Sequence, residues 1–232
     1  MSNIFKEILK RKKFENKLFI IGNEKLKYSD FKTKTTAIIK KVKNKKIKNK
    51  RIGIYLDQSF NYGISILSIV NSSNVVVLLS KDWTNFEIEK IINHCEIDYI
   101  IADVKAVKFK GKLIIKLNNE LFLFKTLINS KIKSASNDAV IIYSSGTTGD
   151  PKGILLSKKS ISHNVMAVCS YLKLNSRDKS LISTPTCYAF SLSQTLTHLY
   201  SGASLLPIKT GLMFPNEILN NILKYNLTGI TG

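Results

Sequence analysis

Arginine, cysteine, tryptophan and acidic residues are all scarce in this chain. Only Arg11, Arg51 and Arg177 are arginine among 36 basic residues, and the rest are lysine. Readers of nucleic acid and phosphate favour arginine for its planar two-pronged donor. The densest basic run, Lys40 to Arg51, has no aromatic residue interleaved for base stacking. The net charge of +20 therefore reads as a solvated lysine-rich surface with a coding bias, and no nucleic-acid partner is expected. Cysteine occurs three times, at Cys95, Cys169 and Cys187. The three are far apart and odd in number, so neither a disulfide framework nor a zinc site is expected. His94, His163 and His198 lack metal-ligand spacing, so no metal site is read from the residues themselves. No apolar run approaches the roughly 18 residues of a membrane span. The N-terminus turns charged within its first residues and has no signal-peptide core, which reads as a cytoplasmic protein. What remains is an ordinary globular composition, 44% hydrophobic and 22% charged, in 232 residues, enough for one sizeable core.

From residue 51 onward the chain alternates β and α patterns. Ile52–Leu56, Val75–Leu79 and Tyr99–Ala102 read as strands. Residues 60–70 and 86–92 read as helices between them, the second with Phe86, Ile88, Ile91 and Ile92 apolar. That alternation predicts an α/β fold, a mostly parallel sheet flanked by helices. Trp83 stands before the second helix, where it either staples the helix start or serves a site. Upstream, residues 3–13 form an amphipathic helix. Leu18–Gly22 and Lys27–Tyr28 form a strand pair about a Gly22–Asn23 turn. Ser29–Asp30 caps a helix reaching Val42. Residues 105–137 are least informative, with an edge strand at 113–115 and a short apolar piece at 121–127. Downstream, Ser157 caps a helix to Leu172 with Ile161, Val165, Val168, Cys169 and Leu172 on one face. Strands follow at 181–183 and 203–206, then a helix at 216–225, and a further strand begins at Leu227.

The stretch from Tyr143 to Ser157 is the most specific in the chain. Ala139–Tyr143 reads as a strand buried on both faces, and Ile154–Leu156 as a second buried run. Between them lie hydroxyls, glycines and a lysine, which cannot build a core. Ser144, Ser145, Thr147 and Thr148 offer hydroxyl donors, Gly146 and Gly149 free the backbone amides, and Lys152 adds a cation. Such a nest suits a polyphosphate. It is not a Walker A loop, because no Gly-Lys-Ser/Thr closes it and no helix follows directly.

Tyr143-Ser-Ser-Gly-Thr-Thr-Gly-Asp-Pro-Lys-Gly153 resembles the signature of the AMP-forming adenylating enzymes, which include acyl-CoA synthetases, nonribosomal peptide adenylation domains and luciferases. The resemblance implies ATP-dependent activation of a carboxylic acid as an acyl-adenylate. MgATP would be bound through Ser144, Ser145, Gly146, Thr147, Thr148, Gly149 and Lys152, and coenzyme A or a carrier-protein thiol would accept the acyl group. Pro185-Thr-Cys-Tyr-Ala-Phe-Ser191 resembles a family segment bordering the carboxylate-substrate channel, with Tyr188 where histidine is common, Phe190 at the aromatic position and Ser191 at the small one. From the residues alone, Phe190 reads equally as core. The resemblance covers residues 1–232 as the first part of the family's large domain. Its later motifs, namely a magnesium-holding glutamate, a ribose-binding aspartate and the lysine of a small C-terminal domain, have no counterpart here. No catalytic residue is therefore identified. The expectation is a chain inactive by itself that would aggregate or pair with a complementary chain supplying the missing part. A non-catalytic anion-binding or interaction module is the alternative.

Overall fold

In the computed structural model, residues 3–22, 24–103, 109–144, 151–208 and 215–230 are described. The chain opens with helix α1 (Ile4–Lys10), strands β1 (Leu18–Ile20) and β2 (Leu26–Lys27), and helix α2 (Tyr28–Asn44). An alternating set follows: β3 (Arg51–Tyr55), α3 (Phe60–Asn71), β4 (Val75–Leu79), α4 (Asn85–His94) and β5 (Tyr99–Ala102). Then come β6 (Gly111–Lys116), β7 (Phe122–Thr126), β8 (Asp138–Ser144) and β9 (Lys152–Ser157). The last elements are α5 (Lys158–Tyr171), β10 (Lys179–Ile182), α6 (Ala189–Ser201), β11 (Ser204–Pro207) and α7 (Pro215–Tyr225).

The α/β expectation holds. A seven-stranded sheet runs β6-β7-β5-β3-β4-β8-β9. Its four central strands, β5, β3, β4 and β8, are parallel. The outer pairings are antiparallel. Side chains alternate across the central strands as the pleat requires. Ile52, Ile54, Val76, Leu78, Ile101, Val140 and Ile142 pack with α1, α2, α3, α5 and α6 in the main core. Their neighbours Val75, Val77, Leu79, Ile100, Ala102, Ile141 and Tyr143 pack with Ile88, Ile91 and Ile92 of α4 on the opposite face. Strands covered on both sides lose the alternation of polarity, which is why their sequences are continuous apolar runs.

Several expectations are corrected in detail. The chain does not build one sheet. β10 and β11 join β1 and β2 in a separate four-stranded sheet, ordered β10-β11-β1-β2, with Ile20 paired to Leu205. Among the described residues, the run from Leu227 contributes a bridge between Gly229 and Ser180. Helix α2 begins one residue before the expected cap, after Lys27, with no side-chain cap. Tyr28 anchors it instead, its hydroxyl 2.8 Å from the His198 carbonyl and 2.7 Å from that of Ala203. Phe86 is 76% exposed rather than on the buried face. The α4 start is set by a capping box in which Thr84 Oγ1 accepts from the Glu87 amide and Glu87 accepts from the Thr84 amide. Trp83, just before that cap, packs on the cluster holding Ile88, as a hydrophobic staple does. Residues 111–126 form a full antiparallel hairpin, β6–β7, at one sheet edge. At the other edge, Ile154 and Leu155 of β9 are 52% and 50% exposed, so the second buried run is an edge strand. Gly202 ends α6 in the left-handed region, at φ 80°, where a side chain would also strike Phe14.

Candidate functional site

The four parallel strands end on one side of the sheet, and polar residues collect there. Asp57 and Gln58 follow β3, Ser80 and Lys81 follow β4, and Asp103 follows β5. The segment Tyr143–Ser157 leaves from the same edge, at the end of β8. The chain passes from β3 to β4 over one face and from β4 back to β5 over the other, with α3 and α4 on opposite faces. Open α/β sheets bind ligands outside the strand ends at such a reversal.

Lys81 ties three of these strand ends together. Its ammonium lies 2.7 Å from Asp103 Oδ1 and 3.2 Å from Asp57 Oδ2. Partial burial works against the charge, but the hydrogen bonds and charges of Asp103 and Asp57 outweigh it and hold Lys81 above the ordinary lysine range. Neither Lys81 nor its partners stood out in the sequence. Their signal was positional, because each is the first charged residue after a buried strand.

β8 and β9 form an antiparallel hairpin in which Val140 pairs with Leu156, Ile142 with Ile154, Tyr143 with Gly153, and Ser144 with Lys152. Ser144 and Lys152 thus face each other across the neck of the loop, and Lys152 is exposed. The remaining expected phosphate ligands, Ser145, Gly146, Thr147, Thr148 and Gly149, lie outside the described residues. Helix α5 starts at the far end of β9, capped as expected by Ser157, whose Oγ accepts from the Ser160 amide at 3.0 Å. Five strand rises, roughly 17 Å, separate that helix N-terminus from the loop neck.

The segment resembling a substrate channel lies over the end of β3. Thr186 Oγ1 donates to the Leu56 carbonyl at 2.7 Å, Tyr62 donates to the Thr186 carbonyl at 2.8 Å, and Gln58 Nε2 donates to the Thr184 carbonyl at 2.7 Å. Ser191 is fully buried and accepts a hydrogen bond from Gln58. Tyr188 is the N-terminal flanking residue of α6 and is 55% exposed. Phe190 is 48% exposed and lines a groove of about 540 Å³ between α5 and α6, whose walls include Leu156, Ile161, Val165 and Leu196. Core packing thus does not account for Phe190, and the three residues take three different settings. Cys187 is buried, and burial pushes its thiol up despite a contact from Ser80. His198 is a satisfied core residue, with Nδ1 2.8 Å from the Gln194 carbonyl and Nε2 2.8 Å from Ser180 Oγ. Burial holds its pKa below the ordinary value.

Among the described residues no three His, Cys, Asp or Glu side chains are grouped to hold a metal ion. No helix among the described residues is long and apolar enough to cross a membrane.

Residues 7–232 match the family model described as AMP-binding enzyme. The chain is 31% identical over 189 residues to the polyketide synthase-nonribosomal peptide synthetase phmA of Phaeosphaeria nodorum, covering 78% of this chain and 5% of that protein. It is 24% identical over 222 residues to gramicidin S synthase 1 of Brevibacillus brevis, covering 92% of this chain and 20% of that protein. The chain thus spans a small part of the length of the curated relatives it matches. Among solved structures, the N-terminal subdomain of Klebsiella oxytoca NpsA superposes with a TM-score of 0.77 at 23% identity, over 98% of this chain and 59% of that one. The o-succinylbenzoate CoA synthetase MenE of Bacillus subtilis, solved with its acyl-adenylate intermediate, gives 0.79 at 14% identity, over all of this chain and 62% of that one. These two likenesses establish the fold, and the family match over residues 7–232 establishes that the chain belongs to the AMP-binding enzymes.

Proposed function

We propose that residues 1–232 are the N-terminal, phosphate-gripping portion of an adenylating domain that activates a carboxylic acid with ATP. One observation carries the reading. The family match runs through a chain whose signature segment, Tyr143–Gly153, joins β8 to β9 at the carboxyl edge of the parallel strands. In the reaction a carboxylate oxygen attacks the α-phosphorus. The bond from that phosphorus to the bridging oxygen breaks, and pyrophosphate leaves with the electron pair. Ser144, Ser145, Gly146, Thr147, Thr148, Gly149 and Lys152 hold the β- and γ-phosphates, so charge growing on the leaving group meets donors already in place. Phe190 and Tyr188 border the acid, and Ser191 fastens their segment to Gln58. A thiol then accepts the acyl group: its sulfur bonds to the acyl carbon, the bond from that carbon to the phosphate oxygen breaks, AMP leaves with the electron pair and the thiol proton is released. Coenzyme A and a carrier protein both fit that role, and the peptide synthetase names of the sequence relatives favour the carrier protein.

Titration of the chain with MgATP by calorimetry tests this. Binding should be measurable and should weaken at least tenfold in Lys152→Ala, as expected for a lost charge-assisted contact of roughly 1.5–3 kcal/mol. A chain that binds no ATP, or a variant that binds it equally well, rejects the assignment of the loop.

A further inference from the structure

We infer that His94 and Tyr143 act as a positioning pair that fixes the neck of the phosphate loop to helix α4. The inference rests on the polyphosphate reading of that loop. Tyr143 is the residue before Ser144 in β8, and its side chain belongs to the set facing α4. Its hydroxyl lies 2.8 Å from Nδ1 of His94, the last residue of α4. The two rings meet edge-on, with centroids 5.8 Å apart and planes at 77°. Directly opposite Tyr143 in the hairpin is Gly153. A Cβ on Gly153 would stand 3.2 Å from Tyr143 Cζ and 3.3 Å from its hydroxyl oxygen. The ring therefore lies against the bare backbone of β9.

One side chain thus touches both limbs of the hairpin and ties them to a helix. The next residues outward are Ser144 and Lys152, which close the loop neck. Farther along β9, Ile154 and Leu155 are half-exposed and give that limb little purchase. A change in the height of the Tyr143 ring moves the start of β9, and with it the backbone that carries Lys152. Burial keeps the phenol protonated, so its hydroxyl donates to Nδ1 in the tautomer that carries the ring proton on Nε2. Cys95, the next residue after α4, offers the phenol a second, weaker partner. A Cβ at position 153 would force the Tyr143 ring to give way by a few tenths of an ångström.

The test measures ATP affinity by calorimetry, with a thermal melt beside it, on the whole 232-residue chain. Tyr143→Phe keeps the ring against Gly153 and deletes only the hydroxyl. It should weaken ATP binding about two- to tenfold, the range for one neutral hydrogen bond. His94→Ala should weaken binding less, because Cys95 remains, and His94→Asn should recover it by placing an amide atom where Nδ1 stood. The Tyr143→Phe effect should also shrink in a Lys152→Ala background, since neighbours acting through one contact are not additive. A purely structural role would lower the melting temperature and leave the dissociation constant and the coupling flat. Wild-type affinity in Tyr143→Phe, with Lys152→Ala still impaired, overturns the pair and leaves the loop assignment standing. Wild-type affinity in both overturns the loop assignment and the pair with it. If Tyr143→Phe does not fold, the two His94 variants, at an exposed helix end, decide the question.

Discussion

The two limbs of the β8–β9 hairpin read alike as sequence and differ in setting. From Ala139 to Tyr143, β8 is buried on both faces, its side chains shared between the two cores. β9 pairs with it in unbroken register from Val140 to Ser144, yet Ile154 and Leu155 stand half in solvent because β9 is the last strand of the sheet. The loop at their tip is thus held by one rigid limb and one bare one. An apolar run specifies a strand, and only its place in the strand order decides how much of it is covered.

That contrast can be broken first at β8. Ile142→Ala removes packing from the main core and should cost about 2–5 kcal/mol in urea unfolding. A loss below about 1 kcal/mol would mean that the limb is not the rigid one. Lys152→Ala, at the first position of β9, should act on ligand rather than fold. It should weaken ATP binding by roughly 1.5–3 kcal/mol with the melting temperature unchanged. A third test sets a buried polar residue of α6, which packs on α5 beside the bare limb, against solvent. His198 has its folded pKa below the ordinary 6.5, so the unfolded chain takes up the proton first. The stability tied to neutral His198 is complete above pH 6.5 and drains as the pH falls from there toward the depressed folded value. The slope cannot exceed about 1.4 kcal/mol per pH unit. Urea melts at pH 7.5 and 5.5 should show a smaller drop for His198→Gln than for wild type, and equal drops would reject the account. The smallest effect is expected for Leu155→Ala on β9, within about 0.5 kcal/mol. A cost approaching that of Ile142→Ala would show that something covers the edge in solution.

How much of this was legible depended on whether a feature was local. The cap at Ser157 and the buried runs of β3, β4, β5 and β8 follow from neighbours in sequence and are where the residues put them, whereas the equally local capping box at Thr84 with Glu87 went unread. The stretch from Ser144 to Gly153 stood out because its composition cannot pack a core, and the resemblance rather than the composition marked it as a signature. The second sheet was not, because nothing near Leu18–Ile20 announces that its partner is Ser204–Pro207. Phe86 and Ile154 were misplaced because periodicity names a face without saying what lies against it. Lys152 stood out in the sequence by its charge within a polar loop. Lys81, Gln58 and Tyr62 could not, since their roles arise where strands far apart in sequence end side by side.

The pairing of Ile20 with Leu205 sets an order of events during synthesis. A ribosome adding about 5–20 residues per second needs on the order of 10–40 s between those two positions. Throughout that interval β1 and β2 have no β11 to close against, while β3, β4 and β5 already have one another. Protease digestion of stalled nascent chains ending before Ser204 should cut between Leu18 and Lys27 and spare residues 51–102. Protection of the early hairpin in those chains would mean that it docks elsewhere first. Until the later strands emerge, the exposed start of the chain is the natural target for holding chaperones, although in the finished fold Phe19 and Ile20 are among its most buried residues.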